Sequence, residues 1–227
     1  AMSYPEYERL YREPGKWVRW NSDKVHYDWN HGNSMFHYPG EGYLISFRNN
    51  DRVFLLSEDF KTIRWSLGVG AHNTFQLKEP AQQFSAQHHA TLIDKDKVMV
   101  LDNHAGERFR RQGRFASRVA IYQLNRFQNT AKLIWEFQPT PIISAVARGS
   151  ADYFAETKTV VAYFPSRTQR TDSLFEVDYK TRKPRGSMVF ANGENWTGYR
   201  AEPHYNLGQE TFLGMKLQAT GGQGHQK

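Results

Sequence analysis

Histidine, asparagine and arginine side chains stand in close pairs along this chain, next to short apolar segments. The pairs are His31 with Asn33, Arg48 with Asn49, His88 with His89, Asn103 with His104, and Arg148 with Ser150. An unprotonated imidazole can act as a nucleophile or move a proton, while guanidinium and amide groups donate hydrogen bonds to the oxygens of an anion. These residue types therefore indicate the binding of an anionic substrate, or group transfer on one.

The apolar segments that carry these pairs form an internal repeat. Each copy contains four short strand-like runs, separated by turn-forming residues such as Pro39-Gly40 and Asn49-Asn50-Asp51. The strands are predicted at 33–38, 43–47, 52–56 and 62–67 in the first copy, at 88–93, 98–102, 118–124 and 131–137 in the second, and at 151–155, 159–164, 173–179 and 185–190 in the third. Four-stranded units that recur along a chain are typical of a β-propeller. A β-sandwich is the competing interpretation, although Greek-key sandwiches lack this fourfold repetition.

The predicted fold class is therefore all-β, with about three to four four-stranded propeller blades. Propellers close with about 4 to 8 blades. We expect the missing blades to come from another chain, from a second copy of this one or from a longer parent. A strand at 17–21 and a further unit that starts at 196–203 are the flanking pieces.

The blade geometry predicts where the polar pairs meet. The first strand of a blade lies nearest the propeller axis and the second runs antiparallel to it, so the start of strand one and the end of strand two lie at the same end. His31, Asn33, Arg48 and the other members of the pairs occupy these positions. We therefore expect them to converge on one mouth of the central channel, where a site would form.

Composition limits the remaining function classes. The formal net charge is +7, which suits an anionic partner but also plain solubility. The chain has no cysteine, which excludes disulfides and thiolate chemistry, and it has no apolar run of about 18 residues that would predict a membrane helix. Phosphate-binding loops, dinucleotide fingerprints and the Gly-x-Ser-x-Gly motif are absent, and a nucleic-acid role rests only on charge and scattered aromatic residues.

Each polar residue also has a structural interpretation. A histidine near a strand start can be a hydrogen-bonded framework residue, Asn33 can be a turn residue, and Arg48 can pair with Asp51 or Glu58. The arginine-rich insertion at 106–115 can be a solvated loop, or it can steer anions to the mouth. The histidine spacing fits no zinc pattern, so no metal and no cofactor are predicted.

Several segments in order resemble a known family. Residues 28–35 read Asp-Trp-Asn-His-Gly-Asn-Ser-Met and contain a His-x-Asn-Ser motif, and a Gln-His motif follows at Gln87-His88. Together with Ser117-Arg118-Val119, Gly149-Ser150-Ala151 and Tyr199-Arg200-Ala201, they resemble the bacterial arylsulfotransferases, which work without the nucleotide sulfate donor. The resemblance covers roughly residues 17–203.

The resemblance implies a six-bladed propeller that moves a sulfuryl group from an aryl sulfate to a phenolic acceptor through a sulfohistidine. It implies that His88 is the nucleophile and that His31, Asn33 and Arg48 assist it. Ser150, His89 and Asn103 are then expected to contact substrate. The family also has a functional histidine upstream of the His-x-Asn motif, and this chain has no match for it. A periplasmic or secreted location is implied as well.

The expected domain organisation is an N-terminal extension at 1–16, a partial propeller at 17–207 and a partly disordered tail at 208–227. Two other functions fit the same residues. One is a propeller polysaccharide lyase, in which histidine and tyrosine abstract a proton while arginine neutralises a uronate. The other is a propeller without catalysis that binds an anionic glycan or another protein at its mouth.

Overall fold

The computed structural model describes residues 2–3, 30–70, 73–105, 116–166, 169–191 and 198–201. Nearly all regular structure in this part of the chain is β-strand. The sequence predictions for the strand at 17–21, the insertion at 106–115 and the tail at 208–227 concern residues outside this part, and those for 1–16 and 196–203 do so in large part.

Twelve of the strands form three successive four-stranded antiparallel meanders, which we call blades 1, 2 and 3. Strand β1 (Met2–Ser3) pairs with the outer strand of blade 1. Blade 1 comprises β2 (Gly32–Tyr38), β3 (Gly42–Phe47), β4 (Arg52–Leu56) and β5 (Thr62–Gly68). After the short strand β6 (Phe75–Gln76), blade 2 comprises β7 (His88–Asp94), β8 (Lys97–Asp102), β9 (Arg118–Asn125) and β10 (Thr130–Phe137). Blade 3 comprises β11 (Ser150–Phe154), β12 (Thr159–Ser166), β13 (Thr171–Asp178) and β14 (Pro184–Ala191).

All twelve strands predicted from the repeat are present, with their ends displaced by no more than a few residues. The reason is that turn chemistry marks each boundary. Gly42, for example, opens β3 with φ of +105°, and a Cβ there would lie 1.9 Å from the carbonyl oxygen of Leu56 on the adjoining strand. Only glycine fits this position, so the Pro-Gly-rich turn before it was a reliable signal.

The blades stack face to face, and their cores follow from strand alternation. On β8, Val98 and Val100 face blade 1, whereas Met99 and Leu101 face blade 3. Successive side chains of a strand point to opposite faces, so an uninterrupted apolar strand is buried on both sides. The core between blades 1 and 2 also contains Trp65. The core between blades 2 and 3 also contains Phe164.

Strand β6 joins the outer edges of blades 1 and 2. It pairs in parallel with β5 through Leu67 and Phe75, and with β10 through Gln76 and Thr130, so the two blades form one continuous sheet. The repeated meanders and the stacked faces are those of a β-propeller, which confirms the predicted fold class. Among the described residues, no helix has the length and apolar character needed to cross a membrane.

Candidate functional site

The first strand of every blade begins with the same backbone turn. His31, Ala86 and Arg148 have φ of 48°, 53° and 68°, and each stands two residues before a buried polar side chain. Those side chains are Asn33, His88 and Ser150. Left-handed backbone is unfavourable for residues with a Cβ, so its recurrence at three equivalent positions indicates that the turn serves to place these side chains.

Neighbouring blades are linked through these positions. Asn33 Nδ2 of blade 1 donates to the carbonyl oxygen of Gln87, 2.7 Å away and next to His88 in blade 2. The backbone N–H of Arg148, at the start of blade 3, donates to Nε2 of His88 over 3.1 Å. Hydrogen bonds therefore join blade 1 to blade 2 and blade 2 to blade 3 at this end of the blades.

The ring of His88 is fixed in one tautomer. The side chain is 2% exposed, and its Nδ1 lies 2.8 Å from Oδ1 of Asn103 and 3.1 Å from the carbonyl oxygen of Ala86. Both partners are acceptors, so Nδ1 carries the proton. Nε2 receives the Arg148 N–H and must therefore be unprotonated. Two independent contacts thus place the lone pair of the imidazole on Nε2.

Burial keeps this imidazole neutral. Loss of solvation lowers the pKa of His88 from 6.5 to about 4, against an opposing effect of the Asn103 hydrogen bond, and the positive charges of Arg48 and His31 lower it further. The neutral form is therefore the one present at physiological pH.

Asn103 forms hydrogen bonds with the His88 ring and with the loop that contains Ala145 and Arg148. Its Nδ2 donates to the carbonyl oxygens of Ala145 and Arg148, at 2.6 and 2.9 Å. These two acceptors fix the amide orientation, so Oδ1 must face Nδ1 of His88. All of its polar capacity is used within the protein in this state. The sequence prediction of a direct substrate contact at Asn103 stays a prediction, whereas its contact with His88 is part of the structure.

Arg48 and His31 are joined by their backbones. The N–H of Arg48 donates to the carbonyl oxygen of His31, 3.1 Å away. The Arg48 guanidinium donates to Oδ1 of Asn49 at 3.0 Å and to the carbonyl oxygen of Val146 at 3.3 Å. Val146 belongs to the same loop as Arg148, whose N–H contacts His88. Asn33 Oδ1 is buried and has no hydrogen-bond partner in the part of the chain that the structure describes.

The segment 198–201 closes one side of the mouth. Ser150 Oγ donates to the carbonyl oxygen of Ala201 at 2.9 Å and accepts the Ala201 N–H at 3.1 Å. Gly149 N–H donates to the carbonyl oxygen of Tyr199 at 2.9 Å, and the Tyr199 ring centroid lies 6.4 Å from that of His88. Ser150 thus anchors this segment, and its predicted substrate contact is not tested by these bonds.

The remaining histidines of the predicted set point elsewhere. Nε2 of His89 lies 3.1 Å from Oδ1 of Asp152 on blade 3, and the ring meets Phe36 edge-on. His104 Nδ1 lies 2.7 Å from the carbonyl oxygen of Ala116, and its Nε2 lies 2.7 Å from a carboxylate oxygen of Asp102. The substrate contact predicted for His89 stays a prediction.

A buried ion pair next to the site was not singled out from the sequence. Asp102 is fully buried and accepts hydrogen bonds from the backbone N–H groups of Ser85 and His104 and from Nε of Arg118 at 3.0 Å. The arginine also binds Glu136 at 2.7 Å. The Ser117-Arg118 segment was noted as part of the family resemblance, but its partner Asp102 could not be assigned because ordinary strand ends also carry aspartate. The pair fixes the end of β8, from which Asn103 follows.

A polar cavity of about 510 Å³ lies elsewhere, along β6 and the start of β10. Amide side chains such as Asn73, Gln76 and Gln128 line it, and none of the predicted site residues does. The chemistry of the mouth, rather than cavity size, therefore marks the candidate site. Among the described residues, no group of three or more histidine, aspartate or glutamate side chains could hold a metal ion.

No curated protein matches the chain significantly. Similar solved structures include the hydrazine synthase of Kuenenia stuttgartiensis, with 11% identity and a TM-score of 0.36 over 69% of this chain and 48% of that one. Another is the periplasmic gluconolactonase of Pseudomonas aeruginosa, with 10% identity and a TM-score of 0.39 over 72% of this chain and 40% of that one. The chain thus spans less than half the length of either structure.

The model of one protein family matches nearly the whole described part of the chain. This is the arylsulfotransferase (ASST) model, and it matches residues 6–200. The matched range includes the His-x-Asn segment, the Gln-His segment and all three blades. The chain therefore belongs to the arylsulfotransferase family.

Proposed function

We propose that this chain carries the nucleophilic part of a sulfuryl-transfer site, with His88 Nε2 as the attacking atom. One observation supports it most strongly: a neutral imidazole whose Nδ1 is held as a donor by Asn103 and Ala86, so that its lone pair is on Nε2. The Arg148 N–H occupies that lone pair in this state and must release it before Nε2 can attack. Membership of the arylsulfotransferase family supports the same reaction class.

The transfer takes place in two displacements. Nε2 attacks the sulfur of an aryl sulfate, an N–S bond forms, the S–O bond to the ring breaks, and the phenolate leaves. The oxygen of a phenolic acceptor then attacks the same sulfur, its proton passes to a base, and the N–S bond breaks. Covalent catalysis of this kind divides one difficult transfer into two easier ones.

The Arg148 N–H has a specific part in the first displacement. It donates to Nε2 over 3.1 Å in this state, so it loses its acceptor when the lone pair enters the N–S bond. The oxygens of the incoming sulfuryl group then become the nearest replacement acceptors. Once the Arg148 N–H has released Nε2, a backbone donor beside the new N–S bond stabilises the charge of the sulfuryl oxygens.

Arg48, His31 and Asn33 support the transferred group. The positive charge of Arg48 acts on His88, and a guanidinium can bind two sulfuryl oxygens at once. We propose that His31 donates to a sulfuryl oxygen or takes the proton of the acceptor phenol, a role worth typically about 10² to 10⁴ in rate. Asn33 retains a buried carbonyl oxygen that can accept from the phenol hydroxyl.

Further blades complete the mouth in this proposal. The described part of the chain holds three blades, and a propeller closes with about 4 to 8. They come from a second copy, another chain or a longer parent, and the aryl sulfate and phenol bind within the completed ring. A periplasmic or secreted location is part of the same proposal.

The test is release of 4-nitrophenolate from 4-nitrophenyl sulfate with phenol as acceptor, with the mass of the assembly in solution recorded. His88→Ala is expected to abolish release, while His37→Ala, which removes an exposed imidazole near the end of β2, leaves the rate unchanged. Undiminished turnover in His88→Ala would remove the nucleophile assignment. If release is absent and a polyuronate yields products that absorb in the ultraviolet, the lyase interpretation replaces this one.

A further inference from the structure

The polar cavity along β6 has the size of a small-molecule site and is separate from the mouth. Its volume is about 510 Å³, and ligand sites in proteins typically occupy about 300 to 1,000 Å³. Its walls are the segments on either side of β6 and the turn that precedes β10, at the outer edges of blades 1 and 2. A ligand bound there leaves the mouth open.

One of the lining amides presents a fixed hydrogen-bond acceptor. Asn73 is 7% exposed, and its Nδ2 donates to the carbonyl oxygens of Val69 and Gly70, both at 3.1 Å. These two bonds fix the orientation of the amide. Its Oδ1 is buried and has no hydrogen-bond partner among the described residues. A buried acceptor is costly unless a ligand or a water molecule donates to it.

A second lining amide presents a fixed donor. Oε1 of Gln82 accepts the backbone N–H of Leu133 at 3.1 Å, and the Gln82 carbonyl oxygen accepts the Tyr122 hydroxyl at 2.8 Å. Both ends of the residue are thereby held, and Nε2 remains as the donor of its side chain. The cavity therefore combines one fixed acceptor and one fixed donor.

The rest of the lining suits a neutral ligand that carries many hydroxyl groups. Lys78 and Glu79 are adjacent and of opposite charge, so their sum favours neither an anion nor a cation. The side chains of Asn129 and Thr130 add groups that both donate and accept. Hydroxyl groups do the same, so a polyol can satisfy the fixed acceptor and the fixed donor together. An apolar ligand would leave both of them unpaired.

An exposed aromatic ring stands next to this lining. Phe127 directly precedes Gln128, which lines the cavity, and its side chain is fully exposed. The turn is held by Asn125, whose Oδ1 accepts the backbone N–H groups of Phe127 and Gln128 at 3.1 and 3.0 Å. Aromatic rings bury a large apolar area when a ligand packs on them, and the C–H face of a sugar ring is an apolar surface on an otherwise polar molecule.

We propose that this cavity binds a neutral oligosaccharide. One sugar ring lies in the cavity, where its hydroxyl groups donate to Oδ1 of Asn73 and accept from Nε2 of Gln82. The adjoining sugar packs on the ring of Phe127. This site lies at the outer edge of the blades and needs no residue of the proposed transfer reaction.

The experiment is calorimetric titration of the whole chain with cellotriose, maltotriose and mannotriose. We expect at least one of these sugars to bind in the millimolar range or more tightly. Gln82→Glu keeps the acceptor for the Leu133 N–H but removes the donor, and it should weaken binding about threefold to tenfold. Gln169→Glu makes the same chemical change on an exposed residue of blade 3 and should have no effect. Absence of binding by all three sugars, or equal affinities of the two variants, would overturn the inference.

A second set of variants keeps the test independent of folding. Asn129 has φ of +52°, which glycine adopts readily, so Asn129→Gly removes the lining amide and preserves the turn. It should weaken binding, whereas Lys158→Gly, at φ of +53° on blade 3, should not. Phe127→Ala should weaken binding about threefold or more, whereas Phe60→Ala, on an exposed ring of blade 1, should not. A sugar that binds equally well to all four variants lies outside this cavity and contradicts the proposal.

The titrations contain no aryl sulfate, so their outcome is distinguishable from that of the transfer assay. If a sugar binds as described and no nitrophenolate is released, the saccharide site stands and sulfuryl transfer is wrong. If transfer occurs and no sugar binds, transfer stands and the saccharide site is wrong.

Discussion

His88 combines deep burial with a single tautomer, whose Nε2 lone pair accepts the Arg148 N–H. An imidazole in water exchanges between tautomers and takes a proton near its ordinary pKa of 6.5. In this protein the hydrogen bond to the Asn103 amide fixes the tautomer of His88, and loss of solvation keeps its imidazole uncharged. Asn103 is thus a positioning residue in the proposed mechanism, since it acts on the reaction through the ring of His88.

The pH dependence of stability should show this burial. The folded pKa of about 4 lies below the ordinary value of 6.5, so the unfolded chain takes up the proton first as the pH falls. The contribution of His88 to stability is therefore complete above pH 6.5 and is lost as the pH falls through about 4. The loss should approach about 3 kcal/mol. Urea denaturation of the wild type and of His88→Asn at pH 7, 5.5 and 4.5 measures it as the difference between the two proteins. If the two lose stability in parallel, His88 is not held neutral by burial.

The Gln87-His88 pair predicts a candidate residue at the mouth, but the contact of Asn103 with that residue could not be predicted from the sequence. The sequence shows that Asn103 follows the second strand of blade 2, and therefore that it lies at the mouth. Its two other partners, Ala145 and Arg148, belong to a loop whose path depends on how blade 3 stacks. The same holds for Tyr199, which reaches His88 from a segment that follows blade 3. Spacing along the chain specifies which end of a blade a residue occupies, and not which side chain it meets there.

The element that connects the site to the fold is the loop from Ala145 to Gly149. It binds Ser117, Asn103 and Arg48 through its carbonyl oxygens, and it directs the Arg148 N–H to Nε2 of His88. Its last residue has φ of +96° and packs closely against Leu101. The position of blade 3 therefore determines where the Arg148 N–H meets Nε2 of His88.

Gly149→Ala should disturb both stability and activity. A Cβ at this position would lie 2.1 Å from Cδ2 of Leu101 and 2.7 Å from the carbonyl oxygen of Tyr163. We expect a loss of about 2 to 3 kcal/mol in the free energy of unfolding, together with slower turnover, because the backbone must shift. Gly40→Ala is the matched control, since Gly40 has φ of +81° but nothing within 4 Å of the added atom. Its loss should be smaller, about 1 kcal/mol, without an effect on turnover. Similar losses in the two variants would show that steric crowding at Gly149 is not the cause.

The strands were predictable because each has a physical signal at both ends. Proline, glycine and asparagine end the runs, and alternation within them distinguishes strand from helix. Strand β6 was missed because two residues give no periodicity, and its pairing with two blades comes from tertiary structure. The left-handed turns at His31 and Arg148 were missed for a related reason, since neither residue type favours that conformation by itself.

At the scale of the molecule, stability and site geometry depend on the same stacking of blades. His88 belongs to blade 2, and its partner Arg148 belongs to blade 3. The apolar core between them includes Leu101, Phe137 and Phe164, all nearly or fully buried. Packing at this seam therefore sets the relative position of the two blades, and with it the contact between Arg148 and His88.

Phe164→Ala should open this seam. The side chain is fully buried, so its removal should cost about 3 to 5 kcal/mol in the free energy of unfolding. Phe127→Ala makes the same chemical change on a fully exposed side chain and should cost almost nothing. Denaturant unfolding followed by tryptophan fluorescence measures both. If Phe164→Ala is as stable as Phe127→Ala, the described packing between blades 2 and 3 is wrong.

The central claim is that a sulfuryl group passes through Nε2 of His88. The most direct measurement is mass spectrometry of the protein after mixing with 4-nitrophenyl sulfate without an acceptor, stopped in base and digested. We expect the mass of one sulfuryl group on the peptide that contains His88, its loss when phenol is added, and its absence in His88→Ala. Transfer to phenol without any adduct, or with the adduct on another residue, would contradict the account.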